Sequence, residues 1–190
     1  MTTAARMRGA VAPALAVLLA LSACGSAEEE SPADAARATD EPDSQPDADA
    51  ASNGEVPAAL DFTSETLEGE PAEGAALLGE PAVLWFWTPW CTICRGEGPE
   101  IADAAERHAG DVAFLGVPGQ GERAAMEEFV DDTGTDGIRH VVDEDGAIWS
   151  GFGVSGQPSF VFLEADGSHE TVPGTLSPDD VDSRIAEITD

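Results

Sequence analysis

The run Ala82-Val83-Leu84-Trp85-Phe86-Trp87 holds six consecutive apolar residues, and Pro81 opens it. An unbroken apolar stretch of this length reads as a strand buried on both faces, which requires covering layers on each side of a sheet. It ends in the turn Thr88-Pro89-Trp90 and then in Cys91-Thr92-Ile93-Cys94. Two thiols at this spacing, where a buried strand hands over to a helix, form the arrangement that reversible disulfide chemistry requires. A purely structural disulfide is the alternative, but so short a ring removes little entropy from the unfolded chain.

One further cysteine, Cys24, lies near the N-terminus, so no second pair completes a four-thiolate zinc site. His108, His140 and His169 are scattered rather than spaced as ligand pairs. Residue spacing therefore points to no metal and no cofactor. Trp85, Phe86, Trp87 and Trp90 read as core and rim aromatics.

Arg6 and Arg8 precede an apolar stretch over residues 10–21 that closes on Leu21-Ser22-Ala23-Cys24. A positive region, a short apolar core and small residues before a cut describe a signal for export, too short to span a bilayer comfortably. The last four residues resemble the lipobox of bacterial lipoproteins, which implies that residues 1–23 are removed and that Cys24 carries the lipid. A plain signal peptide with a stray cysteine is the alternative. Residues 25–57 are rich in Ala, Ser, Pro, Asp and Glu and poor in large apolar residues, so they bury too little surface to offset the entropy of ordering. Residues 24–57 thus read as a lipidated cysteine and a disordered acidic tether, with a reach of roughly 30 Å.

The formal net charge is −30 at pH 7, with arginine supplying all eight basic side chains. This balance argues against nucleic acid as a partner and against electrostatic adhesion to anionic lipid. Attachment to the outer face of the cell membrane would then depend on acyl chains at Cys24.

Residues 58–190 suffice for one domain with a single core. The patterning predicts a hairpin beginning over 60–67, with Glu68-Gly69 as its turn, then a helical turn near 75–78 and the buried strand 82–87. Beyond the thiols it predicts a helix over 100–108, a strand over 112–117, a helix over 122–131 stopped by Gly134, and a short strand over 140–142. Asp145-Gly146 reads as a turn. A strand over 159–163, a hairpin through Asp166-Gly167 to Thr171-Val172, and an amphipathic helix opened by Pro178 complete the chain. Strands alternating with helices, followed by a closing hairpin, describe an α/β sandwich.

Trp90-Cys91-Thr92-Ile93-Cys94, Pro99 five residues beyond Cys94, and Gln157-Pro158 ahead of the strand 159–163 together resemble a thioredoxin-like fold. The lipobox, the strings Leu84-Trp85-Phe86-Trp87 and Gln157-Pro158-Ser159-Phe160-Val161-Phe162, and the segment between the second strand and Gln157 narrow the likeness. They resemble the TlpA-like branch, closest to the secreted and lipoprotein DsbE/DsbF-type proteins of actinobacteria. The resemblance covers nearly all of residues 58–190 and none of the tether. It implies a central mixed sheet flanked by helices, with an N-terminal hairpin and a central insertion.

Carried onto this chain, the resemblance makes Cys91 the attacking thiol at a helix N-terminus, where free N–H groups favour the thiolate, and Cys94 the shielded resolving thiol. Pro158 matches the cis-proline beside the thiols, and Trp90, Gln157 and Pro158 would contact the client. Glu97 matches the acid that reductase members of the branch use beside their thiols, although a solvated helix glutamate reads equally well. Three departures stand out. Trp85 occupies the position of the buried aspartate of thioredoxins. Gly96 and Gly98 each cost a helix about 1 kcal/mol relative to alanine, which predicts a loose helix just beyond Cys94. Thr92-Ile93 brings no histidine or arginine between the thiols, though Arg95 follows.

The function expected is extracytoplasmic thiol-disulfide exchange, with a disulfide donated to exported proteins and restored by a quinone-linked membrane partner of DsbB or VKOR type. The alternative is a reductase for cytochrome c maturation, fed by a CcdA/DsbD-like donor. Trp85 favours the first and Glu97 the second. A redox-idle, client-binding lipoprotein is a third reading, against which the intact Cys91, Cys94 and Pro158 weigh. Thr88 and Cys91 also stand at the T-x-x-C spacing of peroxiredoxins, but Leu84 occupies the place of that motif's proline.

Overall fold

In the computed structural model, which describes residues 55–190, the chain enters through a short 3-10 helix, Ala58–Leu60. The expected signal peptide 1–23, Cys24 and all but the last three residues of the expected tether lie outside the described residues. An antiparallel hairpin follows, β1 (Thr63–Glu65) with β2 (Pro71–Glu73). Its turn contains Gly69 in the left-handed region, at φ 82°. The hairpin starts later than the predicted strand because residues 58–60 coil instead, which seats Leu60 in the core. A second 3-10 helix, Gly74–Leu77, leads to β3 (Ala82–Trp87).

All six residues of β3 are buried, and their alternation explains why. Val83, Trp85 and Trp87 enter one apolar cluster, while Ala82, Leu84 and Phe86 enter another on the opposite face of the sheet. The strand is central within a five-stranded sheet. After β3 come α1 (Thr92–Arg107), β4 (Ala113–Pro118), α2 (Arg123–Thr133), β5 (Arg139–His140), α3 (Ala147–Gly151), β6 (Ser159–Leu163), β7 (His169–Pro173) and α4 (Pro178–Thr189). The sheet order is β5-β4-β3-β6-β7, with β4 parallel to β3 and to β5, and with β6 antiparallel to both β3 and β7. This is the thioredoxin-like arrangement, a mixed sheet between layers.

Side chains of α1, α2 and α4 cover the first face, and Leu60, Ile148, Trp149 and Phe152 cover the second. Local signals set several ends. Gly134, at φ 68°, caps α2. Ser177 and Asp180 form a reciprocal capping box at α4, with Pro178 inside the first turn.

Two further elements differ from the patterning. The helix after the thiols is not loose, since α1 runs unbroken from Thr92 to Arg107 through Gly96, Gly98 and Pro99. A Cβ on Gly98 would lie 2.6 Å from Thr133 Cβ, so this glycine lets α1 approach α2 closely. Helix α3 was not predicted. It forms where the Asp143 carboxylate accepts the N–H groups of Ile148 (3.2 Å) and Trp149 (2.8 Å) and so anchors its first turn.

Candidate active site

The turn Thr88-Pro89-Trp90 leaves the C-terminal end of β3 and delivers Cys91 as the residue that caps α1. The Cys91 N–H donates to the Thr88 carbonyl (3.1 Å), and the Cys94 N–H donates to Cys91 Sγ (3.0 Å). The two cysteines are joined as a disulfide, with Cα atoms 5.3 Å apart. Cys91 is 6% exposed and Cys94 is fully sealed, so an incoming thiolate reaches only Cys91. Once the bond opens, the free N–H groups and dipole of a 16-residue helix favour the thiolate at Cys91.

Around this point the surface is apolar. Trp90 and Ile93 are 60% and 57% exposed, the large hydrophobic side chains most open to solvent among the described residues. The Trp90 indole donates to the Gln120 carbonyl (3.0 Å) in the loop after β4. Gln120 takes a left-handed conformation, φ 53°, that residues other than glycine rarely adopt. In the same loop Gly121 lies so close to Pro89 that a Cβ would stand 2.4 Å from Pro89 Cγ.

The Gln157–Pro158 bond is cis. Because Ser159 pairs with Phe86, the next residue inward, Pro158 lies at the same end of the sheet as the turn that presents Cys91. The Ser159 hydroxyl donates to the Gly156 carbonyl (2.7 Å), and the Pro158 carbonyl accepts from Gly174 (2.9 Å). Both bonds fix the approach to β6.

Glu97 lies one turn beyond Cys94, 8% exposed, and neither carboxyl oxygen has a hydrogen-bond partner among the described residues. Burial pushes its pKa up to about 7, and the charge of Glu100 adds to the rise. The Trp85 indole N–H and the Leu176 backbone oppose it. A carboxyl that ionises near neutrality can both give and take a proton at physiological pH.

Arg95 and the Gln120 loop, to which the residue pattern gives no role, also shape the site. The Arg95 guanidinium bonds to Asp132 of α2 (2.7 Å) and donates to the Pro89 carbonyl (3.1 Å). Its carbon also sits 4.9 Å from the centre of the Phe129 ring. It therefore ties the turn before Cys91 to α2. The glycines flanking Gln120 and the arginine just past the thiols were the available signals, but apart from the Arg95–Pro89 bond their partners lie 30 or more positions away.

The three histidines stand apart. His108 contacts Asp182 (2.9 Å), and His169 meets the Phe152 ring edge-on. His140 is buried, and its Nε2 donates to the Thr135 carbonyl (3.0 Å); burial lowers its pKa and keeps it neutral.

The family model described as "AhpC/TSA family" matches residues 57–175. The soluble secreted antigen MPT53 of Mycobacterium tuberculosis is 40% identical over 133 residues, which is 68% of this chain and 76% of that protein. The solved structure of MTB DsbF in its mixed oxidized and reduced forms superposes with a TM-score of 0.69 at 41% identity, covering 71% of this chain and all of the other. A secreted Mycobacterium tuberculosis disulfide oxidoreductase, described as homologous to E. coli DsbE, gives a TM-score of 0.63 at 39% identity, over 68% of this chain and 97% of its own.

Proposed function

This chain belongs to the AhpC/TSA family, in its thioredoxin-like DsbE/DsbF-type branch, and we propose that as a thiol-disulfide oxidoreductase it works outside the cytoplasm to donate its Cys91–Cys94 disulfide to exported proteins. The observation that carries the reading is the asymmetry of the pair, with Cys91 at the surface beside exposed Trp90 and Ile93 and Cys94 sealed beneath it. Secreted relatives support the location.

A client thiolate attacks Cys91 Sγ, the Cys91–Cys94 bond breaks, and Cys94 leaves as a thiolate that takes a proton from Glu97. The result is a mixed disulfide between Cys91 and the client. A second client thiolate then attacks the client sulfur of that bond, and Cys91 leaves as a thiolate favoured by the helix N-terminus. The client loses two electrons and the cysteine pair gains them. Trp90 offers an exposed apolar face, and Gln157 with cis-Pro158 offers backbone at the same end of the sheet, so these three residues are assigned to client binding. A quinone-linked membrane partner of DsbB or VKOR type reoxidises the pair. The lipobox spelling supports lipidation of Cys24 and tethering at the outer face of the membrane.

Glu97 favours a second reading. A buried acid with a pKa of about 7 beside the resolving thiol also serves as a base that activates Cys94 in a reductase fed by a CcdA/DsbD-like donor. Equilibrating the full chain with glutathione and measuring the potential of the pair separates the two. A value toward about −120 mV supports donation, and one at or below about −270 mV defeats it.

A further inference from the structure

Among the polar groups that the described residues seal from solvent, two have complementary needs. Both oxygens of the Glu97 carboxyl are buried and unpartnered, and so is the indole N–H of Trp85, a group that can only donate. Trp85, from the middle of β3, packs into the cluster that Cys94, Ile101 and Ala104 of α1 cover, and Glu97 is buried on α1 between Cys94 and Ile101; the indole is also among the groups that lower the Glu97 pKa. A donor and an acceptor that have each lost their hydration recover it in part only by meeting.

We propose that the Trp85 indole N–H positions Glu97 by donating a hydrogen bond to its carboxylate whenever the acid ionises. A protonated carboxyl in this site has little need of a donor, whereas an ionised one needs it greatly. The charged group acting on Glu97 is Glu100, from its own helix, which disfavours ionisation. From the other elements packed against it, β3 brings the neutral indole and the segment ahead of α4 brings the backbone of Leu176. Trp85 thus counteracts burial and holds the acid near neutrality, where burial alone would lift it further. The strand position that carries an acid in thioredoxins carries here the donor that serves an acid on the helix. The inference rests on the proton-transfer role given to Glu97 above, and the test separates the two.

The test is a pH titration by NMR of the oxidised full chain, in which the paired thiols do not titrate. It follows the Trp85 indole N–H and the Glu97 carboxyl carbon in the wild type, Trp85→Phe and Glu97→Gln. In the wild type both resonances should report one midpoint near 7, with the indole proton moving downfield as the acid ionises. Glu97→Gln should abolish that movement, and Trp85→Phe should raise the carboxyl midpoint by about one unit or more. An indole resonance that stays flat through the Glu97 transition overturns the pairing, and this readout needs only the wild type. If the indole follows Glu97 but Glu97→Gln leaves the pH profile of client oxidation unchanged, the pairing stands and the proton-transfer role of Glu97 falls.

Discussion

Gly96 and Gly98 occupy the same helix two residues apart, yet alanine should act on them with opposite sign. At Gly96 a Cβ would meet nothing within 4 Å, so Gly96→Ala adds only the helix preference of alanine and should stabilise the chain by about 0.5–1 kcal/mol. At Gly98 the new Cβ would lie 2.6 Å from Thr133 Cβ and 3.0 Å from its Cγ2, against an ordinary carbon contact of about 3.5–4.0 Å. Relief needs a separation of roughly 1 Å between α1 and α2, and Thr133 cannot easily rotate away. Its hydroxyl is held by the Phe129 carbonyl (2.7 Å) and Thr135 (3.0 Å). Overpacking of this kind costs about 1–3 kcal/mol, which outweighs the gain of about 1 kcal/mol in helix preference. The two variants should therefore differ by about 2 kcal/mol, or about 1 M in urea midpoint at an unchanged slope. Equilibrium urea unfolding of the full chain, read by circular dichroism, measures this directly. If Gly98→Ala raises the midpoint in step with Gly96→Ala, the close approach of α1 and α2 is refuted.

Glu97 also links stability to pH. Its folded pKa of about 7 exceeds the ordinary 4.5, so the stabilisation it confers is complete below the lower value and is lost as pH rises through the higher. The loss amounts to about 3 kcal/mol at most, and urea midpoints measured from pH 4 to 8 should slope less steeply in Glu97→Gln than in the wild type. Cys94→Ser should accumulate mixed disulfides with a disulfide-bonded client peptide, because its Cys91 thiolate attacks the client disulfide, displaces one client thiolate and finds no Cys94 to resolve the product; Cys91→Ser should form none, and equal trapping by both on non-reducing gels would contradict the assignment of Cys91 as the exchanging sulfur. Asp143→Ala should cost about 2 kcal/mol in the same unfolding assay, because two buried N–H groups of α3 lose their acceptor.

Strands β3 and β6 were legible to the residue, because their apolar runs end abruptly at Pro81, Thr88, Pro158 and Glu164. No apolar periodicity spells out α3, which is five residues long and is anchored by a carboxylate in the loop just before it. The continuity of α1 was misread for a related reason. Glycine propensity is a local quantity, whereas the contact of Gly98 with Thr133 spans 35 positions and is made only in the folded chain. Within the site, the thiol pair was evident from spacing, and the family likeness pointed to Pro158. The burial of Glu97 was not evident, since a glutamate in the second turn of a helix is ordinarily solvated; the packing of β3 and of the segment before α4 decides its environment.

The contact between Gly121 and Pro89 has a consequence for descent. Pro89 has a rigid ring, and its Cγ and Cδ would lie 2.4 and 2.9 Å from any Cβ at position 121. A lineage that replaces this glycine must first give up the proline, or shift the loop that also holds Trp90 through Gln120. Positions 89 and 121 are therefore expected to change hands together, and the order of those substitutions decides whether the intermediate ancestor keeps a working entrance to its disulfide.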